Sequence, residues 1–234
     1  MAGEDRTLRE LQTPTSEEAD VEVEREQDAP EPAELDPETR ARRDAALRHV
    51  RKFGDPVLRA SALPVDRFDE DLRAEVERMG ELMHDALGIG LAATQLGVLH
   101  RVLVYRAYPE DPLTALVNPV LEWTSEEQEV AEEGCLSLPG VHVEVERPAR
   151  VRVQALDETG KELEIETEGL DARVIQHEID HLDGVLILDR IPREARKDAM
   201  RAMREAQEPI GATAGRTGGG PASAAQRSSR AGER

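Results

Sequence analysis

Hydrophobic residues spaced three and four positions apart predict four helices in the middle of the chain. The strongest pattern covers residues 70–87, where apolar residues follow a 3.6-residue period behind an acidic start. A shorter helix is predicted over residues 40–52. A third helix is predicted from Asp171 as N-cap to Gly184 as C-cap, and a charged amphipathic helix over residues 193–207.

Alternation of apolar and polar residues predicts strands between these helices, several of them antiparallel with one exposed face. The strand that contains Pro119 is expected to be interrupted there. Because strands and helices are segregated along the chain, the sequence predicts an α+β fold. We expect mostly antiparallel sheets around the third helix, with helices near both ends. The predicted strands are Arg101–Tyr105, Ala115–Leu121, Val141–Val145, Val151–Val153, Leu163–Ile165 and Val185–Leu188.

Composition separates a folded domain from two extensions. Residues 1–38 contain 14 Asp and Glu against 3 Arg, which is a net charge of −11 within a chain total of −20. We expect this segment to be a disordered acidic extension, since it cannot bury enough apolar surface to order itself. Residues 39–208 are expected to form the folded domain. Residues 209–234, with 6 of the 17 glycines, are expected to be a flexible Gly/Ser-rich tail.

Charge and cysteine content exclude several classes of protein. No apolar run approaches the ~20 residues of a membrane span, and no secretory or organelle-targeting segment is recognisable at the N-terminus. The acidic balance argues against binding to DNA, because backbone binding needs clustered Lys and Arg. One cysteine cannot form an intramolecular disulfide, so a reducing cytoplasm is the expected location.

The segment His177-Glu178-Ile179-Asp180-His181 lies in the third predicted helix. Residues four apart share a helix face, so His177 and His181 can bind one metal ion. Glu178 lies one step round the helix and can act as general base toward the attacking water. The alternative is two histidines on a charged surface helix that are four residues apart by chance.

The only cysteine, Cys135, is the candidate third ligand. A thiolate with two imidazoles suits zinc, ferrous iron or nickel and disfavours magnesium or calcium. Against this role, a lone cysteine is commonly a small buried apolar residue. A zinc endopeptidase of the H-E-x-x-H type is a further alternative, and it would leave Cys135 without a function.

A glycine-rich segment, Gly88-Ile89-Gly90-Leu91-Ala92-Ala93-Thr94-Gln95, follows the predicted helix over residues 70–87. Its G-x-G-x-x-A pattern follows a helix rather than a strand, which argues against a dinucleotide site. Its two glycines expose the backbone, so an extended peptide can pair with it, and Gln95 adds an amide donor and acceptor. The alternative is a helix end followed by a bend of small residues.

Taken together, G-I-G-L-A-A-T-Q, E-G-C-L-S and Q-H-E-I-D-H resemble, in order and separation, the three motifs of peptide deformylase. The resemblance spans residues 45–190 and includes Gly54-Asp55-Pro56-Val57-Leu58-Arg59. It implies a bacterial, cytoplasmic hydrolase that removes the formyl group from the N-terminal formylmethionine of nascent proteins and releases formate. It also implies one divalent ion per chain, ferrous iron first, with zinc, nickel or cobalt as substitutes. A transient contact with the ribosome is left open, as is a non-catalytic homologue.

The resemblance also implies roles for individual residues. Cys135, His177 and His181 would be the metal ligands, and Glu178 the catalytic acid and base. Gln95 and the backbone N–H of Leu136 would stabilise the oxyanion.

Helix spacing suggests the pocket for the methionine side chain. Leu170 and Val174 precede His177 by seven and three residues and share its face, so with Ile89 they predict an apolar slot. Gly90 and Gly134 are expected to leave room for the peptide backbone. The alternative is that Leu170 and Val174 only pack against the sheet.

Two further expectations concern the surroundings of the site. His142 stands where many family members carry an arginine, which changes the charge on the substrate side. The resemblance suggests that Asp180 pairs with Arg147 on the strand after E-G-C-L-S. The alternative is an Asp180 that is solvated on a charged helix. With 2% aromatic residues, no stacked aromatic wall is expected.

Overall fold

Four α-helices and seven strands make up residues 35–207, the part of the chain that the computed structural model describes. Residues 1–34 of the predicted acidic extension and the predicted tail 209–234 lie outside this range. Residues 37 and 38, expected to be disordered, belong to the first helix.

The helices are α1 (Pro37–Leu47), α2 (Glu70–Asp85), α3 (Gly169–Leu182) and α4 (Arg193–Gln207). The strands are β1 (Gly90–Ala92), β2 (Val102–Tyr105), β3 (Thr114–Thr124), β4 (Gln128–Gly134), β5 (His142–Pro148), β6 (Arg150–Leu156) and β7 (Glu162–Glu168).

The strands form two antiparallel sheets, which confirms the predicted α+β fold. Five strands lie in the order β1-β2-β3-β6-β7, and β4 pairs with β5 as a separate two-stranded sheet. Helix α3 is central, as expected, since it packs on the larger sheet and also reaches β5. The guanidinium of Arg173 on α3 donates a hydrogen bond of 2.9 Å to the carbonyl of Val145.

Alternation along β2 explains why helices cover both faces of the larger sheet. Val102 and Val104 are buried in a cluster with the apolar face of α2. Leu103 and Tyr105 are buried in a different cluster with α3. Successive strand residues point to opposite faces, so one strand contributes to both cores. No helix within residues 35–207 combines the length and apolar character needed to cross a membrane.

Several element boundaries differ from the sequence predictions. Helix α1 begins at Pro37 rather than residue 40, because the Asp36 carboxylate accepts hydrogen bonds from the first backbone N–H groups, and the helix ends at Leu47. Helix α3 begins at Gly169, two residues before the expected Asp171, and its N-cap is Glu168. Its C-cap is Asp183, and the expected C-cap, Gly184, follows in the left-handed region at φ 72°.

The buried strand expected over Val185–Leu188 is wrong. Residues Ile187–Asp189 form a 3₁₀ helix, in which the Asp189 carboxylate accepts a hydrogen bond of 2.9 Å from the Leu186 N–H. A run of buried apolar residues without alternation indicates burial but not the type of element.

The interruption expected at Pro119 is present as a register shift within β3, next to Asn118 at φ 54°.

Strands β1 and β4 were not predicted. Strand β4 has mostly exposed side chains and therefore no apolar alternation to reveal it.

Candidate metal centre and active site

Three potential metal ligands from two distant parts of the chain meet at one point. One ligand atom from each of Cys135, His177 and His181 lies within 4.8 Å of the others, and Cys135 Sγ is 3.2 Å from Nε2 of His181. Cys135 directly follows β4, and the two histidines lie on consecutive turns of α3. A thiolate and two imidazoles at this spacing fit a tetrahedral transition-metal site with ligand bonds of about 2.0–2.3 Å.

The orientation of His177 is set by Glu133, a buried residue at the end of β4. Glu133 Oε2 lies 2.9 Å from Nδ1 of His177. Burial alone would raise the pKa of Glu133, but hydrogen bonds from Arg147 and His177 outweigh it and lower the pKa to about 2. An ionised carboxylate can only accept, so His177 donates from Nδ1 and its Nε2 is left for a metal ion.

A buried charge network surrounds this contact. Glu133 accepts hydrogen bonds from Arg147 at 2.6 and 2.9 Å and from Arg173 at 2.8 Å. Arg147 also donates to Asp180 at 2.9 Å, and the guanidinium of Arg190 donates to both oxygens of the same carboxylate. The Arg147–Asp180 pair suggested by the resemblance is therefore present. The alternative of a solvated Asp180 is wrong, since its exposed fraction is 7%.

Sequence reasoning missed Glu133, Arg173 and Arg190 as members of this network. Arg173 carried a usable signal, because it lies four residues before His177 and so shares the helix face of the ligands. Glu133 lies next to an exposed glutamate, Glu132, and only the burial of its side chain in the fold distinguishes the two.

Glu178 is buried beside the ligand cluster. Its Oε2 atom has no hydrogen-bond partner among the described residues. Burial raises its pKa to about 7, against the opposing effect of His177 and Arg147. Gly90 makes room for this side chain: a Cβ atom at Gly90 would lie 2.9 Å from Cδ of Glu178 and would overlap with Oε1. A carboxyl group with a pKa near neutrality can accept and release a proton.

Gln95 approaches the ligand cluster from a 3₁₀ helix, Ala93–Leu96, and Leu136 approaches it from the turn after β4. The Ala92 N–H donates to Oε1 of Gln95 at 2.9 Å, so the amide nitrogen Nε2 points the other way, 3.8 Å from Cys135 Sγ and 3.2 Å from Ser137 Oγ. Leu136 directly follows Cys135. Among the described residues, its backbone N–H has no hydrogen-bond acceptor. The Leu136 N–H is therefore a donor without an acceptor among the described residues, whereas Gln95 Nε2 donates to Ser137 Oγ and lies near Cys135 Sγ.

Most of the predicted site residues line a cavity of about 420 Å³, the catalytic cavity, whereas His181 is buried and does not line it. Ile89, Leu170 and Val174 all contribute to the lining, and no Phe, Tyr or Trp within residues 35–207 does so. Val174 is also part of the α3 core, and Leu170 packs against it. Leu170 and Val174 therefore line the cavity and also pack with the core, and their role in binding a methionine side chain stays a prediction. Other predicted residues that line the cavity are Gly90, Gln95, Gly134, Cys135, Leu136, His177 and Glu178.

His142, the first residue of β5, lines the same cavity. Its Nδ1 is 3.4 Å from a carboxylate oxygen of Glu132, and both side chains are largely exposed. The substrate side of the cavity thus carries an imidazole beside a carboxylate at this point.

A ligand set of this kind beside a buried acid–base carboxyl group defines a metal-dependent hydrolase. Comparison with known proteins agrees. The polypeptide deformylase family model matches residues 47–197. A peptide deformylase from Acidothermus cellulolyticus is 49% identical over 162 residues, covering 69% of this chain and 88% of that protein.

Solved structures show the same relationship. A peptide deformylase from Legionella pneumophila aligns with a TM-score of 0.64 and 38% identity, over 68% of this chain and 98% of its own. One from Synechococcus elongatus, in complex with actinonin, aligns with a TM-score of 0.64 and 40% identity, over 69% and 88%. The chain belongs to the polypeptide deformylase family. It removes the formyl group from the N-terminal formylmethionine of newly synthesised proteins, and the zinc endopeptidase alternative is excluded.

Proposed function

We propose that Cys135, His177 and His181 hold one ferrous ion and that the enzyme deformylates nascent chains in the bacterial cytoplasm. The observation that carries the proposal is the meeting of these three ligand atoms within 4.8 Å beside a buried carboxyl group. When bound, such an ion polarises the formyl carbonyl and makes water a better nucleophile. The choice of iron rests on the resemblance of the motifs, and the soft thiolate is compatible with it.

Glu178 is the proton carrier in this proposal. It takes a proton from the water that attacks the formyl carbon. It then delivers the proton to the amide nitrogen as the C–N bond breaks, so that formate and a free amino group result. Two observations support this role: within residues 35–207 its buried Oε2 has no hydrogen-bond partner, and the absence of a side chain at Gly90 leaves room for the carboxyl group.

Gln95 and Leu136 stabilise the negative charge that develops on the formyl oxygen. The Ala92 N–H holds Oε1 of Gln95, which leaves the Nε2 group as the donor. The free N–H of Leu136 adds a second donor from the residue after Cys135. Removal of one such donor typically costs 10²–10³ in kcat.

The substrate peptide binds along the free edge of β1. Among the described strands, β1 is first in the sheet order and pairs with β2 alone, so its other edge is available to an extended chain at Gly90. Gly134, at the end of β4, borders the same cavity. The methionine side chain then occupies the apolar slot of Ile89, Leu170 and Val174.

The test measures release of the free amino group from formyl-Met-Ala-Ser under anaerobic conditions, together with formate, with acetyl-Met-Ala-Ser as the control and metal analysis of the same sample. We expect turnover of the formylated peptide alone, with one iron per chain. Equal turnover of both peptides, or none by the iron-loaded protein, would overturn the proposal. Co-sedimentation with translating ribosomes tests for a transient contact there.

A further inference from the structure

Three consecutive residues after α1 bind the backbone of both proposed oxyanion residues and their neighbour. The Arg51 N–H donates to the Gln95 carbonyl at 2.6 Å, and the Phe53 N–H donates to the Ser137 carbonyl at 2.9 Å. Between them, Lys52 Nζ donates to the Leu136 carbonyl at 2.9 Å. This short segment therefore connects the 3₁₀ helix that contains Gln95 to the turn that follows Cys135.

Lys52 differs from its two neighbours because its contact is made by the side chain. The ammonium group is half-buried and lines the catalytic cavity. Burial lowers its pKa, the Cys135 thiolate counteracts this, and Arg43 adds to it. Within residues 35–207, Lys52 forms no ion pair with a carboxylate. The ammonium group of Lys52 therefore donates to the Leu136 carbonyl and is not paired with an Asp or Glu carboxylate within residues 35–207.

The Leu136 N–H lies in the Cys135–Leu136 peptide plane, whose carbonyl accepts a hydrogen bond of 2.9 Å from the Leu138 N–H. The Leu136 carbonyl lies in the next peptide plane. The two planes turn independently about φ and ψ of Leu136, so both must be held to fix the residue. The preceding residue, Cys135, is restrained as a proposed metal ligand. The hydrogen bond from Lys52 to the Leu136 carbonyl restrains the peptide plane that follows Leu136. Leu136 is then held from both sides with its N–H free.

We propose that Lys52 is a positioning residue for deformylation, which holds Leu136 so that its N–H points at the oxyanion. The inference rests on the proposed role of Leu136. Lys52 itself touches no reacting atom and acts through the carbonyl of Leu136. Because an oxyanion donor works only in the correct geometry, loss of this support lowers the rate of the chemical step more than it weakens substrate binding.

The experiment compares the parent with Lys52→Met, which keeps the length and apolar stem of the side chain, and with Lys52→Arg, which keeps the charge and donors. Lys161→Met removes the same charge from an exposed site outside the cavity. We expect Lys52→Met to lower kcat about tenfold with KM within twofold, since the donor is displaced rather than deleted. Lys52→Arg should restore most of the rate, and Lys161→Met should match the parent.

A second measurement does not depend on turnover. In the zinc-loaded protein, ¹⁵N relaxation should show the Leu136 amide order parameter falling from about 0.85 toward 0.6 in Lys52→Met only. An unchanged order parameter, or a rise in KM with kcat unchanged, would overturn the proposal. Failure of the parent to release formate would instead remove the proposed function and leave the relaxation result to decide the role of Lys52.

Discussion

Glu133 Oε2 lies 2.9 Å from Nδ1 of His177, and the same carboxylate is held by both Arg147 and Arg173. This contact joins the two parts of the chain that carry the proposed metal ligands, since Glu133 lies two residues before Cys135 and His177 lies on α3. A buried carboxylate therefore couples the position of Cys135 to that of His177.

Replacement of Glu133 by Gln should weaken metal binding and destabilise the fold together. The neutral amide cannot neutralise two buried guanidinium groups, and breaking such a pair typically costs about 3–5 kcal/mol. Metal affinity should fall ten- to hundredfold. Thermal unfolding and metal titration measure the two effects. Glu132→Gln is the matched control, because Glu132 is exposed, and a Glu133→Gln variant that behaves like it would contradict the coupling.

Arg147 and Asp180 should be energetically coupled. Both side chains are buried, at 4% and 9% exposure, and the pair joins β5 to α3. A double-mutant cycle with Arg147→Met and Asp180→Asn should give a coupling free energy above about 1 kcal/mol in unfolding. The exposed pair of Arg152 and Glu166 provides the comparison and should give about 0.2–1 kcal/mol. Additive effects of the two buried substitutions would show that the pair is not coupled.

Cys135→Ser should lose most of the bound metal, because a neutral hydroxyl group replaces a soft thiolate. Metal content after dialysis against a weak chelator is the direct measurement, and formate release should fall with it. Since Cys135 is only partly buried, the fold should persist, which circular dichroism can verify. Equal metal occupancy in the variant and the parent would remove Cys135 from the ligand set.

Gly90→Ala should impair catalysis while the metal stays bound. The added Cβ would overlap with Oε1 of Glu178 and force the carboxyl group to move. A displacement of about 1 Å at a reacting group can cost about a hundredfold in rate. We expect kcat to fall by that order, with metal content unchanged. A variant with parental kcat would show that Glu178 has freedom to move without loss of function.

Local sequence was sufficient for features that depend on helix and strand geometry. The period of residues 70–87 predicted α2, and the four-residue separation of His177 and His181 placed both on one face of α3. These properties follow from the 3.6-residue turn and need no distant contact. Cys135 was a candidate ligand because it is the only cysteine in the sequence, and the resemblance of three motifs supplied the oxyanion roles expected of Gln95 and Leu136.

Only the tertiary structure decided which distant residues meet. Glu133 and Glu132 are identical in type, yet one is buried against His177 and the other faces solvent. Lys52 lies 84 positions from Leu136 in the chain and still donates to its carbonyl. Apolar periodicity shows which face of an element is buried, but it carries no information about the partner across the interface. Buried polar contacts therefore became visible only when the packed chain brought each donor to its acceptor.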